Sequence, residues 1–241
     1  MPHSVLPLSI PFALCLLLMA GPASAVDDAA RGAGPIADDF SEGFEDIQEL
    51  PGKGWVQRNN SQPAGSVGWA QGDPGEFAAH LGPADSYISA NWANADGLGT
   101  VSNWLLTPEI ELSSDTRIRF WTRTADPNGQ PFPDRLEVRL STDGASENVG
   151  GTAESVGSFT TLLLTVNPDL TDEYPTVWTA YEIQLDSVPA PTSGRIGFRY
   201  YVTDSGPFGD NGDFIGIDTF SVIQPQGDVI FGDRFEDAGG S

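Results

Sequence analysis

The sequence predicts an all-β protein, a two-sheet antiparallel β-sandwich of the jelly-roll kind, and three observations point there. Short apolar or alternating runs recur from Phe40 to Val222, separated by clusters of Gly, Pro, Asn and Asp. No stretch in that span keeps a helical period. The chain of 241 residues suits one β-sandwich or two small domains once its N-terminal segment is set aside.

That segment is the first element. Residues 5–20 are mostly Leu, Ile, Ala, Phe and Met without charge, Gly21-Pro22 breaks the run, and Ala23-Ser24-Ala25 offers small residues to a signal peptidase. Met1 to Ala25 therefore reads as a signal peptide cleaved before Val26, although its leading end carries only His3 and the α-amino group. Pro7, Pro11 and the short apolar run do not suit the ~20 residues of a membrane-spanning helix. Residues 26–39, rich in Ala, Gly and Asp, have little to bury and read as a flexible leader. The jelly-roll domain is expected over residues 40–223. Its clearest strands are 116–124, 135–142, 159–166, 177–186, 195–203 and 214–222, with weaker ones at 54–59, 67–71, 87–92 and 104–112. Pro108 confines the last of these to an edge, a bulge or two separate strands. Residues 224–241 form a linker and a short apolar-acidic tail, either a last strand or an unstructured end.

Composition narrows the function. Cys15, the only cysteine, lies inside the signal, so the mature chain has no disulfide, thiol nucleophile or cysteine metal site. Eleven Lys and Arg stand against 34 Asp and Glu, a formal charge of −23, and Lys53 is the sole lysine. Such a surface repels phosphate backbones and anionic lipid, which argues against nucleic acid as a partner and against membrane association after signal cleavage. A secreted or cell-surface location follows from the signal. Acidity itself serves solubility, or holds divalent cations that relieve self-repulsion.

The chain shows no Gly-x-Ser-x-Gly elbow, His-Glu-x-x-His helix, Walker loop or dinucleotide fingerprint. His80, the one histidine after the signal, reads as a packing residue. Asp218 says more. The strand period places it on one face with Phe214, Phe220 and Val222, where a lone carboxylate is costly unless paired. Its partner is an arginine or a cation shared with other oxygens, and Glu45 and Asp46 follow an aromatic with no base nearby. Oxygen ligands and an exported site favour Ca²⁺, so Glu45, Asp46 and Asp218 are the candidate metal ligands. The run Asp210-Asn211-Gly212-Asp213 lacks EF-hand spacing and reads as a turn.

Seven arginines, at 117, 119, 123, 135, 139, 195 and 199, fall on the outward phase of three predicted strands. They either pair across strands with Glu137, Glu182 and Asp186, or form a shallow binding face with aromatic platforms. On the second reading the ligand-binding residues are Arg119, Trp121, Arg139, Arg199 and Tyr201. Most of the six tryptophans have apolar neighbours and read as core.

The order of several short motifs resembles a known family. Phe44-Glu45 leads to Gly54-Trp55, then to Ser102-Asn103-Trp104-Leu105-Leu106-Thr107-Pro108. Phe120-Trp121-Thr122-Arg123, Leu136-Glu137-Val138-Arg139-Leu140, Trp178-Thr179-Ala180-Tyr181 and Gly216-Ile217-Asp218-Thr219-Phe220-Ser221-Val222 follow. The pattern is similar to the choice-of-anchor J or cleaved-adhesin domain, a relative of the MAM-type jelly roll. The resemblance implies a two-sheet jelly roll, structural calcium, and adhesion rather than catalysis, with Glu45 and Asp218 at the family's acidic positions. Two departures stand out: Thr219 replaces the second acid of the usual Ile-Asp-Asp closing, and Val56-Gln57-Arg58-Asn59-Asn60 replaces an acidic loop. The expected function is an exported, non-enzymatic binding module for a cell-surface glycan or matrix protein. A passive surface component and a carboxylate-dependent hydrolase are the alternatives.

Overall fold

A computed structural model of the chain describes residues 34–126, 132–186, 188 and 192–225. The signal peptide, residues 26–33 of the leader and residues 226–241 of the tail lie outside the described residues. Among the described residues, alternation produces thirteen strands. They are β1 (Phe40–Glu42), β2 (Val56–Asn59), β3 (Gln62–Ala64), β4 (Ala70–Gln71), β5 (Ile88–Asn91), β6 (Ala95–Leu106) and β7 (Ile110–Leu112). The remainder are β8 (Arg117–Thr124), β9 (Leu136–Ser141), β10 (Thr161–Val166), β11 (Thr179–Gln184), β12 (Thr192–Ser205) and β13 (Phe214–Ile223). Pro108 splits the predicted 104–112 strand into the end of β6 and β7, because it has no N–H to give a ladder.

The strands form two antiparallel sheets, as expected. One has the order β11-β8-β13-β5-β4 with β1 added to β13, and the other β10-β9-β12-β6-β2 with β3 on β6 and β7 on β12. Their inner faces meet through aromatic rings in edge-to-face contact. Phe120 of β8 lies 5.0 Å from Phe198 of β12, Phe198 lies 5.6 Å from Phe220 of β13, and Trp55 lies 5.4 Å from both Phe220 and Phe44. Part of the expected leader is tied to this body. Ile36 bridges to Ile110, its N–H donating to the Glu109 carbonyl at 2.9 Å, and Asp39 accepts the Gln224 N–H at 2.6 Å.

Each outer face is partly covered by a long connection. Over the second sheet, Val149 and Phe159 of the β9–β10 connection close on Trp104 and Leu106 of β6. This cover buries Arg199 to 1% exposure, where it donates to Glu137 at 3.0 Å, to Ser102 Oγ at 3.0 Å and to the Ala153 carbonyl. Burial raises the Glu137 pKa, but hydrogen bonding from Arg139 and the charges of Arg199 and Arg139 outweigh it and hold the carboxyl below its usual value. Arg117, by contrast, meets Glu182 at 3.6 Å with both side chains about half exposed. Arg199→Ala should therefore lower unfolding free energy by roughly 3 kcal/mol by leaving Glu137 buried with one partner fewer, whereas Arg117→Ala should change it by less than about 0.5 kcal/mol. Urea denaturation of the two variants measures both.

Candidate functional site

The first sheet's outer face carries the other cover, the connection between β4 and β5. Phe77 stacks on Tyr87 at 4.9 Å and meets Trp178 and Phe214 edge-on, which makes a small second core outside the sheet. Asp218 fastens this connection down. Its Oδ2 accepts the backbone N–H of His80 at 2.8 Å and of Leu81 at 3.1 Å, while Oδ1 accepts the Thr219 N–H at 2.5 Å and its hydroxyl at 3.2 Å. A bulge explains the geometry. The β13–β8 register shifts between Asp218 and Ser221, and Thr219 has φ 50°, a conformation rare for a β-branched residue. The strand's phase therefore flips. Asp218 faces outward with Phe214, and Phe220 and Val222 face the main core, which corrects the expectation that all four share one face.

Asp218 is fully buried, and desolvation pushes its pKa up against the opposing effect of its N–H and O–H donors. Its protein partners are backbone and hydroxyl groups, and the arginine expected as one alternative is not among them. Glu45 and Asp46 are exposed, and Asp46 accepts the Gln48 N–H at 2.9 Å as the cap of the 3₁₀ helix Ile47–Lys53. The buried acid of the first strand is instead Glu42, whose Oε2 takes the Lys53 ammonium at 3.0 Å. Among the described residues no three His, Cys, Asp or Glu side chains are grouped so as to hold a metal ion. Calcium does not fit Glu45, Asp46 and Asp218 as they are arranged.

The candidate ligand-binding residues divide between the two outer faces. Arg119 and Trp121 lie on the outward phase of β8, and Arg139, Arg199 and Tyr201 on that of β9 and β12. Since the sheets join by their inner faces, the five cannot form one surface, and Arg199 is buried. The aromatic platforms are also occupied. His80 stacks on Trp121 at 4.4 Å and Arg119 lies 4.3 Å from the same ring, while Arg199 and Arg135 lie 3.6 and 4.6 Å from Tyr201. His80 Nδ1 contacts Thr219 Oγ1 at 3.0 Å, which is a packing arrangement as the sequence suggested.

Open aromatics gather elsewhere, at one end of the sandwich. The β12–β13 turn doubles back on Gly206 (φ 90°) and Gly212 (φ 89°), and its Gly212 N–H donates to the Pro133 carbonyl at 2.8 Å. Trp92 donates its backbone N–H to the Asp213 carbonyl at 3.1 Å, and Phe208 to that of Gly97 at 3.3 Å. Three segments thus meet, exposing Trp92 (42%), Phe132 (41%) and Phe208 (80%). Two recesses flank Trp92: one of about 430 Å³ between Trp92, Ser66 and Asp96, and one of about 210 Å³ over the β12–β13 turn. Phe132 and Asp213 are shared between the second recess and a small socket of about 30 Å³ above Asp134. A wider cleft of about 550 Å³ opens separately beside β2, walled by Trp55 and Trp69 and rimmed by the Arg58–Glu147 ion pair.

Asp134 holds the loop end together. Its Oδ2 accepts the Thr124 hydroxyl of β8 at 2.5 Å, and Oδ1 accepts the Tyr200 hydroxyl of β12 at 2.5 Å and the Asp213 N–H at 2.8 Å. Complete burial pushes its pKa up to about 6, against these donors. Sequence patterning misses the site: it places Trp92 at the end of the expected 87–92 strand, whereas β5 stops at Asn91, and no strand phase marks Phe132, Phe208 or Asp213. A signal existed: Phe208 lies within Ser205-Gly206-Pro207-Phe208-Gly209-Asp210, where turn residues leave an aromatic no sheet face to bury.

No family model and no curated protein matches the chain. Solved structures do. The K1 cleaved adhesin domain of Lys-gingipain from Porphyromonas gingivalis is 20% identical, covers 78% of this chain and 99% of its own, and superposes with a TM-score of 0.51. The K2 cleaved adhesin domain of Lys-gingipain is 17% identical over 77% of this chain and 99% of its own, with a TM-score of 0.50. The fold is thus a two-sheet sandwich like that of the cleaved adhesin domains.

Two outcomes follow from the buried carboxylates. Asp218→Ala should lose roughly 2–4 kcal/mol of stability by stranding buried N–H donors, and EDTA should leave the wild-type melting curve unchanged; a chelator-sensitive melt would show that a cation is held after all. For Asp134, a folded pKa of about 6 against 3.8 unfolded means that the native state binds the extra proton. Stability from this group falls as pH rises from about 4 to 6 and is level above about 7. Asp134→Asn removes that slope, so its stability relative to wild type should rise by roughly 3 kcal/mol across the window, measured by urea titrations at each pH.

Proposed function

We propose that the chain is an exported, non-enzymatic binding module, a divergent relative of the choice-of-anchor J or cleaved-adhesin domains, that takes its ligand at the loop end. One observation carries the reading. Exposed aromatics from three separate segments gather at one end, Trp92 and Phe132 lining adjoining recesses and Phe208 exposed on the β12–β13 turn between the lining residues Pro207 and Gly209, on a scaffold whose outer faces are partly overlaid by their own connections. Exposed aromatics around a concave surface are a recurring feature of recognition sites, since burying them on binding supplies most of the affinity. A cell-surface glycan or a matrix protein is the class of partner such a module meets outside the cell. The signal peptide read from the sequence at Met1 to Ala25 supports that location; no helix among the described residues is long and apolar enough to cross a membrane.

A hydrolase reading has less to stand on. Asp134 has every oxygen engaged by Thr124, Tyr200 and the Asp213 amide, which leaves it a structural carboxylate. Residues 26–241, screened against a glycan and matrix-protein array, should bind at least one member, and Trp92→Ala and Phe208→Ala should each weaken that binding at least tenfold with unchanged melting. An array without signal, or binding untouched by both variants, would contradict the proposal.

A further inference from the structure

We infer that the loop end recognises an uncharged oligosaccharide chain laid across Trp92, with one sugar ring in each of the two larger recesses and a hydroxyl group in the socket above Asp134. This rests on the loop end being the binding site and adds the chemistry of its ligand.

The first argument is charge. The residues described as lining the three depressions include Asp96, Asp213 and Asp172 but no Lys, Arg or His. An anionic glycan, nucleotide or acidic peptide would meet carboxylates with no compensating cation. A cationic ligand is served little better. An ammonium or guanidinium is best held by converging carboxylates; each of the two larger recesses offers a single one, and the socket, which has Asp172 and Asp213, is only about 30 Å³, too small for a guanidinium. Asp134, the fourth acid, already spends both oxygens on Thr124, Tyr200 and the Asp213 amide.

The second argument is shape and surface. One acceptor beside one flat aromatic face is what a pyranose ring asks for, since its hydroxyls donate from the rim while its C–H face lies on an aromatic ring. Trp92 and Pro207 line both of the larger recesses, so a chain laid across Trp92 reaches from one to the other. The middle recess, at about 210 Å³, has Gly206, Gly209 and Gly212 along its lining beside Trp92, Phe132, Pro207 and Asp213, so part of its wall is bare backbone that a flat ring can approach closely. The socket, at about 30 Å³, is no larger than a water or a hydroxyl group requires. Three depressions in a row, two of ring size and one of hydroxyl size, describe a ligand that is extended and polar without charge.

The test is calorimetric titration of residues 26–241 with four probes: neutral gluco-, manno- and xylo-oligosaccharides of one to six units, oligogalacturonate, heparin, and an oligolysine peptide. The expected result is binding of a neutral series, at least tenfold tighter for the disaccharide than for the monosaccharide, with little further gain beyond the trisaccharide. Raising salt from about 0.05 to 0.5 M should change that affinity less than twofold, because no ion pair is screened. Trp92→Ala should lose at least tenfold, and Phe132→Ala, a second variant at an exposed position, should also weaken binding. Binding of heparin, oligogalacturonate or oligolysine instead, lost in Trp92→Ala, would overturn the ligand class and leave the loop end as the site. Neutral-sugar binding that ignores Trp92→Ala and Phe132→Ala but falls in Arg58→Ala would move the site to the cleft beside β2 and overturn both. Failure of every neutral series to bind overturns the inference.

Discussion

One buried carboxylate organises the functional end of this protein. Asp134 receives hydroxyls from β8 and β12, one in each sheet, and the backbone N–H of Asp213 at the entry to β13. A charge shut away from water is tolerated there because three donors converge on it, and even so burial raises its pKa to about 6. From that anchor the geometry spreads outward. Phe132 precedes it by two residues, Asp213 hangs on its oxygen, and Trp92 hangs on the Asp213 carbonyl. The rims of the recesses are therefore fixed from below by hydrogen bonds, while their ring faces stay open.

The same economy of acids governs the rest of the molecule. Asp218 and Glu42 are buried as well, each solved by a different local partner: amides and a hydroxyl for Asp218, and the chain's only lysine together with the Phe44 amide for Glu42. Glu137 takes two arginines. In a chain of formal charge −23, three of the scarce cations are set against buried acids, Lys53 against Glu42 and Arg139 and Arg199 against Glu137, where their absence would be costly. The loop-end recesses receive none, which gives that surface its chemical character.

Much of the scaffold was legible in the sequence because alternation over β8, β9 and β12 as far as Val202 obeys the period of two. The inward set Ile118, Phe120, Leu136, Val138, Ile196 and Phe198 is the set that packs. Two failures have definite causes. At β13 the bulge inverted the phase after Asp218, and nothing local announces that Thr219 adopts φ 50°. At Arg199 the outward phase was right, but a connection whose Ala153 lies 46 residues away in sequence folded over it, and such long-range cover leaves no periodic trace. The candidate site shares the second difficulty. Trp92, Phe132 and Asp213 come from three connections that only the packed strands bring together, so spacing along the chain could not assemble them.

The six indole N–H groups offer a direct measurement, since each tryptophan reports a different part of the molecule. Resonances assigned to Trp55, Trp69, Trp92, Trp104, Trp121 and Trp178 can be followed by NMR while a neutral oligosaccharide is titrated in. The account predicts that the Trp92 signal moves with saturation and that the buried Trp104 and the Arg119-stacked Trp121 stay still. Movement of Trp121, or of Trp55 and Trp69 beside β2, with Trp92 unchanged, would contradict it.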